Sequence, residues 1–150
     1  MKIRHGKLIF EYNKITPNIY LGTNMCCQTH FSKELIKTGI TADISLEKEK
    51  IDHPIGVKYY LWLPTKNHIA PTQKQLILGT NFIKDLISKN EKIYVHCQRG
   101  HGRAPTLVAA YLVKGGMSVK DAIAFIKNKR STIHPNLIQK NALKKFASQL

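Results

Sequence analysis

The stretch that most limits how this chain can fold is KIYVH-CQRGHGR-APTLVAAYLV, from Lys92 to Val113. A compact apolar strand (Lys92–His96) empties into a glycine-bearing turn, and a helix follows with Pro105 in its first turn. A proline there costs nothing, because that amide hydrogen has no partner inside the helix. Gly115 and Gly116 end the helix. The rest of the chain follows the same alternation. Lys7–Tyr12 and Asn18–Leu21 read as a strand pair around a turn at Pro17, and Phe31–Thr38 as a short helix capped by Ser32 and stopped by Gly39. Ile40–Leu46 is a buried strand carrying Asp43. The aromatic and β-branched run Val57–Leu63 is a second core strand, holding Tyr59, Tyr60 and Trp62. After the polar loop Pro64–Thr72, an apolar stripe marks a helix over about Gln73–Lys89. Ser118 caps VKDAIAFIKNK, and a last helix covers about Pro135–Phe146. Strands alternating with helices predict an α/β layer fold. At 150 residues, with no repeat or linker, one domain is expected.

Each residue type between His96 and Thr106 suits the binding of a phosphate dianion. Successive amides in a curled loop, Gln98 through Arg103, supply converging donors, and the following helix adds its free N–H groups and positive dipole end. Gly100 and Gly102 let the backbone curl where a β-carbon would obstruct it. Arg103 offers a rigid two-pronged donor to two oxygens. Cys97 stands at the centre of a field that favours thiolate, so a nucleophilic sulfur lies beneath an electrophilic phosphorus. His96 is expected behind the loop, hydrogen-bonding to fix its shape. Taken singly, a histidine at a strand end or a buried cysteine is commonly structural; the whole arrangement carries the functional reading.

This segment resembles the His-Cys-five residues-Arg signature of the cysteine-dependent protein tyrosine phosphatase superfamily, closest to its compact dual-specificity branch. ITPNIYLG (Ile15–Gly22) is similar to that branch's opening strand, YLVKGGMSVKDAIAFIKNKR (Tyr111–Arg130) to its helix pair, and HPN (His134–Asn136) to the turn before its last helix. The resemblance implies a single catalytic domain over residues 1–150. Its central sheet would be mainly parallel, with four to five strands flanked by helices. It also implies a cysteinyl-phosphate route for hydrolysing phosphotyrosine, with phosphoserine and phosphothreonine reaching Cys97 through a shallow cleft. Other phosphate esters stay open: phosphoinositides, RNA 5′ phosphates and glucan phosphates. The triplet Arg103-Ala104-Pro105 echoes plant starch-dephosphorylating relatives.

Two positions depart from the family. Its general acid is an aspartate about thirty residues before the cysteine; here that position is Asn67, inside PTKNHIAPT, with Pro71 matching the family's loop. An amide is neither a useful proton donor nor a base. Three readings compete: an aspartate replaced in this sequence, a slow enzyme or phosphoprotein-binding module, or the neighbouring His68 acting instead. Asp52 falls in a loop whose position the sequence does not fix. Many members place a hydroxyl directly after the arginine to ease breakdown of the thiophosphate. Ala104 has none, leaving Thr106 as the nearby hydroxyl.

Charge adds the sign of the partner. Lys and Arg number 24 against 9 acidic residues, a net of +15, and only Asp85, Glu91 and Asp121 are acidic after residue 75. The field draws anions, although a solvated basic face is the competing reading. Arg99 and His101 occupy the loop's variable positions and suit either a polyanionic ester or a salt bridge to a nearby carboxylate. A phosphorylated protein is the expected partner, with phosphate or sulfate in the loop. No cofactor is expected, and no metal, since the chain has no CxxC, HExxH or dense His/Cys run. Cys26 and Cys27 read as small buried residues or as a trap for Cys97 under oxidation. No apolar run approaches the ~20 residues of a membrane span, and the amino terminus turns polar too early for a secretory signal; a cytoplasmic setting is expected.

Overall fold

The computed structural model describes residues 6–150. Strands β1 (Tyr12–Thr16), β2 (Ile19–Gly22), β3 (Ile40–Glu47), β4 (Tyr59–Thr65) and β5 (Lys92–His96) form one sheet in the order β1-β2-β5-β3-β4. The first pair is antiparallel and every other pairing is parallel. Helices α1 (Lys33–Lys37), α2 (Gln73–Ser88), α3 (Arg103–Lys114), α4 (Val119–Lys129) and α5 (Leu137–Ser148) flank it. This is the α/β arrangement that the alternation predicted, with the mainly parallel sheet that the resemblance implied.

Period-two alternation divides the sheet into two unlike faces. Ile19 and Leu21 of β2, Ala42, Ile44 and Leu46 of β3, and Ile93 and Val95 of β5 join the main core with Leu107, Val108 and Ile126 of the helices. The intervening residues form a smaller cluster on the other face, where Tyr20 and Tyr94 meet Phe31, Leu35, Cys26 and Cys27. Asp43, Ser45 and His96 occupy those same alternate positions, in register as Asp43↔Tyr94 and Ser45↔His96. A β-strand pattern with polar residues at buried positions therefore brings charge into the core.

The helix ends follow local chemistry. Thr72 with Gln75, and Asn136 with Gln139, form reciprocal capping boxes for α2 and α5. Ser118 Oγ accepts from the Asp121 amide at 3.1 Å to start α4.

Several expectations need correction. The first strand is Tyr12–Thr16, not Lys7–Tyr12, because the turn is only Pro17-Asn18 and the partner must end beside it. Ser32 precedes α1 but makes no side-chain cap bond. Helix α3 begins at Arg103, two residues before Pro105, which still lies within the first turn. Tyr59, Tyr60 and Trp62 are not core residues: β4 is an edge strand and Trp62 is 40% exposed. An aromatic strand with one free edge keeps that composition while facing solvent. No helix among the described residues is long and apolar enough to cross a membrane.

Gly22 sits where β1, β2 and β5 crowd together. A β-carbon there would stand 2.4 Å from both the Glu11 carbonyl oxygen and the Tyr94 hydroxyl. Gly22→Ala is expected to destabilise the fold by about 1–3 kcal/mol through overpacking. Urea unfolding should show a lower midpoint at unchanged slope.

Candidate active site

Strand β5 ends at His96, and residues 97–102 curl before α3 begins at Arg103. The six consecutive carbonyls of the curl are all tied from outside. His96 Nδ1 lies 3.3 Å from the Cys97 carbonyl oxygen, and the Asn24 amide donates to Gln98 O at 3.1 Å. Arg130, buried at the carboxy end of α4, donates to Arg99 O at 2.8 Å and to Gly100 O at 3.1 Å. The His134 amide donates to His101 O at 2.8 Å. Gly102 O accepts from the Thr106 amide at 3.0 Å and from its hydroxyl at 2.7 Å. No backbone carbonyl among the described residues accepts from the amides of residues 98–100 or 102. Carbonyls held outward turn the amides toward the inner side, the geometry of an anion-binding nest. Gly100, at φ 69°, is in the left-handed region, and a β-carbon there would lie 2.6 Å from the Gly22 oxygen.

Cys97 is buried, 3% exposed, and is a free thiol. Arg103 is equally buried; its Nη1 donates to the Thr65 carbonyl and to Glu49 Oε2, each at 2.7 Å. Glu49 Oε1 accepts from the Asn67 amide at 2.8 Å. One carboxylate thus joins Arg103 to the loop between β4 and α2. Partial burial pushes Glu49 upward, but hydrogen bonds from Arg103 and the Asn67 amide outweigh it and hold the carboxyl below its usual range. The loop is also tied to α5: Asn136 Nδ2 donates to His68 O at 2.8 Å, and Gln139 Nε2 to Ile69 O at 3.2 Å. Asn67 Oδ1 accepts from the His68 amide at 3.1 Å.

Beneath the cradle, His96 Nε2 lies 3.1 Å from Asp43 Oδ1 and 3.2 Å from Asp52 Oδ2, all fully buried side chains. Burial alone would lower His96, but Asp43 and Asp52 outweigh it and raise it well above the ordinary histidine range. The two carboxylates thus favour the charged ring, whose Nδ1 faces the Cys97 carbonyl. Burial raises Asp43, partly offset by His96. Cys26 and Cys27 are bonded to each other and share this region, with Cys27 Sγ 3.5 Å from His96 Nε2.

The family model described as the dual specificity phosphatase catalytic domain matches residues 19–149. The chain belongs to the dual-specificity phosphatase family. It is 31% identical to human dual specificity protein phosphatase 1 over 91% of the chain and 37% of that protein. It is likewise 31% identical to the Schizosaccharomyces pombe tyrosine-protein phosphatase yvh1, over 90% of the chain and 41% of that protein. The chain thus spans well under half the length of these curated relatives. The crystal structure of a human tyrosine phosphatase-like serine/threonine/tyrosine-interacting protein aligns with TM-score 0.81 at 26% identity, over 92% of this chain and 96% of that one.

Residues 97–102 form one loop that leads into Arg103, and Asn67 is linked to Arg103 through Glu49. The Arg99 side chain donates to the Gly6 carbonyl oxygen at 3.0 Å. The His101 ring packs on His134, with centroids 4.8 Å apart. The Thr106 hydroxyl is committed to Gly102 O.

Sequence reading missed Glu49, Arg130 and Gln139. Each is distant in the chain from the loop it supports, and only the matched helix pair ending at Arg130 hinted at one of them. Cys26, Cys27, Asp43 and His96 also converge, a grouping that no run of neighbouring residues announces.

Arg130 holds two adjacent carbonyls with one planar fork, a geometry lysine cannot reproduce. Arg130→Lys is expected to weaken phosphate or tungstate binding by about tenfold or more, equivalent to about 1.4 kcal/mol, while far-ultraviolet circular dichroism stays native. Unchanged affinity in a calorimetric titration would show that the tethers do not shape the nest.

Proposed function

We propose that this domain is a cysteine-dependent protein phosphatase acting on phosphotyrosine, and on phosphoserine and phosphothreonine, with residues 1–150 as one catalytic unit in the reducing cytoplasm. The observation that carries this reading is the curl of residues 97–102, its six carbonyls tied outward, with the free thiol residue Cys97 at its start and the buried Arg103 at its end. The names of the curated relatives support it.

The chemistry follows from the geometry. Amides 98–103 and the start of α3 hold the phosphate oxygens, and Arg103 adds its guanidinium. The Cys97 thiolate attacks phosphorus, the P–S bond forms, and the bond to the ester oxygen breaks. Because Asn67 has no proton to give, the leaving oxygen takes its proton from solvent. Water then attacks the cysteinyl phosphate, the P–S bond breaks, and phosphate leaves with the thiolate restored. The first step is therefore easiest for aryl esters, whose leaving oxygen needs protonation least.

A phosphoprotein-binding module is the second reading, favoured by the amide at residue 67 and by the ion pair between Glu49 and Arg103. Turnover separates the two. Cys97→Ser is expected to abolish hydrolysis of an aryl phosphate while retaining phosphate binding; equal near-zero rates for both proteins would sink the enzyme reading.

Restoring an acid at residue 67 tests the loop's role. Asn67→Asp is expected to raise turnover by about 10²–10⁴ and to add a limb to the pH–rate profile that falls as the new carboxyl ionises. No gain on the same aryl substrate would remove residue 67 from the acid's position and leave His68 or an acid-independent route.

With alanine at position 104, breakdown of the cysteinyl phosphate is expected to limit the cycle. Rapid mixing should give a burst of aryl product that Ala104→Ser reduces. A linear trace from the first turnover would contradict a slow second step.

A further inference from the structure

The side of the sheet away from the main core carries an unusual set of buried groups. Cys26 and Cys27 come from the turn after β2, Asp43 from the middle of β3, and His96 from the end of β5. Their sulfur, carboxylate and imidazole atoms all lie within 4.8 Å of one another, and all four residues are buried. We propose that, with the two cysteines reduced, these four residues form a binding site for a zinc-class divalent cation beneath the phosphate cradle.

Four observations converge on it. The donor set is two sulfurs, one imidazole nitrogen and one carboxylate, which suits Zn²⁺ and is too soft for Mg²⁺ or Ca²⁺. Two of the spacings match. Around a tetrahedral zinc with bonds of about 2.0 Å to N or O and about 2.3 Å to S, ligand atoms stand about 3.3 Å apart for N···O and about 3.5 Å for N···S. Here His96 Nε2 is 3.1 Å from Asp43 Oδ1 and 3.5 Å from Cys27 Sγ.

The third observation is an unsatisfied carboxylate. Beyond the approach of His96 Nε2, neither oxygen of the fully buried Asp43 has a hydrogen-bond partner. A buried carboxylate with so few donors is costly, and a coordinated cation would give it a direct partner. The fourth is the remaining ring nitrogen. His96 Nδ1 faces the Cys97 carbonyl at 3.3 Å, the outer hydrogen bond that metal-bound histidines make.

The structure has Cys26 and Cys27 bonded to each other, so their sulfurs are not ligands in that state. A phosphine reductant cleaves the S–S bond, giving up two electrons, while one water supplies both thiol protons and the oxygen of the resulting phosphine oxide. Binding of the cation then releases both thiol protons and the Nε2 proton of His96, while Nδ1–H stays on the Cys97 carbonyl. Asp52, also within 3.2 Å of Nε2, stands beside the ion as a further carboxylate. The ion would clamp the turn after β2, strand β3 and strand β5 together directly under the loop.

The test uses Co²⁺ as the probe, on the full chain with Cys97→Ser to remove the third thiol, reduced anaerobically with a phosphine. Expected is uptake of about one ion per chain, with the intense visible bands of tetrahedral Co²⁺ and a thiolate-to-metal charge-transfer band, both erased by added Zn²⁺. Asp43→Asn should weaken binding by at least about tenfold, and Cys26→Ala or Cys27→Ala should remove or diminish the charge-transfer band. Reoxidising the unmutated pair to the disulfide should abolish uptake, and fresh reductant should restore it; this arm needs no core substitution to fold.

No stoichiometric uptake by the reduced protein, a pale octahedral spectrum, or equal uptake by the disulfide form would overturn the proposal. None of these outcomes bears on turnover at Cys97.

Discussion

The outward tethering of the carbonyls of residues 97–102 is the constraint on which the cradle depends. A peptide unit has a donor end and an acceptor end, and a loop that turns its donors inward must find partners outside for its acceptors. Here the partners come from five separate places: Asn24, His96, Thr106, Arg130 and His134. Releasing any one would let a carbonyl dipole swing toward the position of a phosphate oxygen, replacing attraction with repulsion. Arg130 matters most in this account because it holds two neighbouring units. Its remaining donors meet Asn13 Oδ1 at 2.9 Å and Glu11 Oε1 at 3.2 Å, so the β-hairpin at the start of the domain orients the guanidinium that orients the loop.

The same logic explains how Arg103 is kept in place. Its Nη1 is divided between a backbone carbonyl of β4 and the Glu49 carboxylate. Glu49 is partly exposed, so its ion pair with Arg103 is screened and weak compared with a desolvated one. It steadies the guanidinium at the end of the curl without competing strongly with a dianion. Glu49 also accepts from the Asn67 amide, so Arg103 and the loop bearing residue 67 share one carboxylate. That linkage gives the loop a fixed place relative to the cradle even though asparagine itself supplies no proton.

Sequence made the cradle legible because its parts are contiguous: strand, cysteine, glycines, arginine and helix follow one another without interruption. The supports were not legible for the opposite reason. Glu49 lies 54 positions before Arg103, and Arg130 lies 30 after Gly100; neither sits in a pattern that local chemistry would single out. Strand errors had a similar origin. Lys7–Tyr12 has strand-like composition, yet hairpin register is set by the Pro17-Asn18 turn, which selects Tyr12–Thr16. The aromatic run in β4 reads as a core strand because composition does not tell an edge from a centre.

The buried charges beneath the loop require an explanation other than stability. Ion pairs inside a core commonly contribute no more than well-packed apolar residues would. What Asp43, Asp52 and His96 do is control a proton. Two carboxylates at Nε2 favour a hydrogen on that nitrogen, and on the other side of the ring Nδ1 faces the Cys97 carbonyl. A cation on Nε2 has the same consequence, since a ring coordinated at one nitrogen keeps its hydrogen on the other. The protonated and metal-bound states therefore present an identical donor to the first carbonyl of the curl. The cluster can change its occupant without altering the backbone that positions the sulfur.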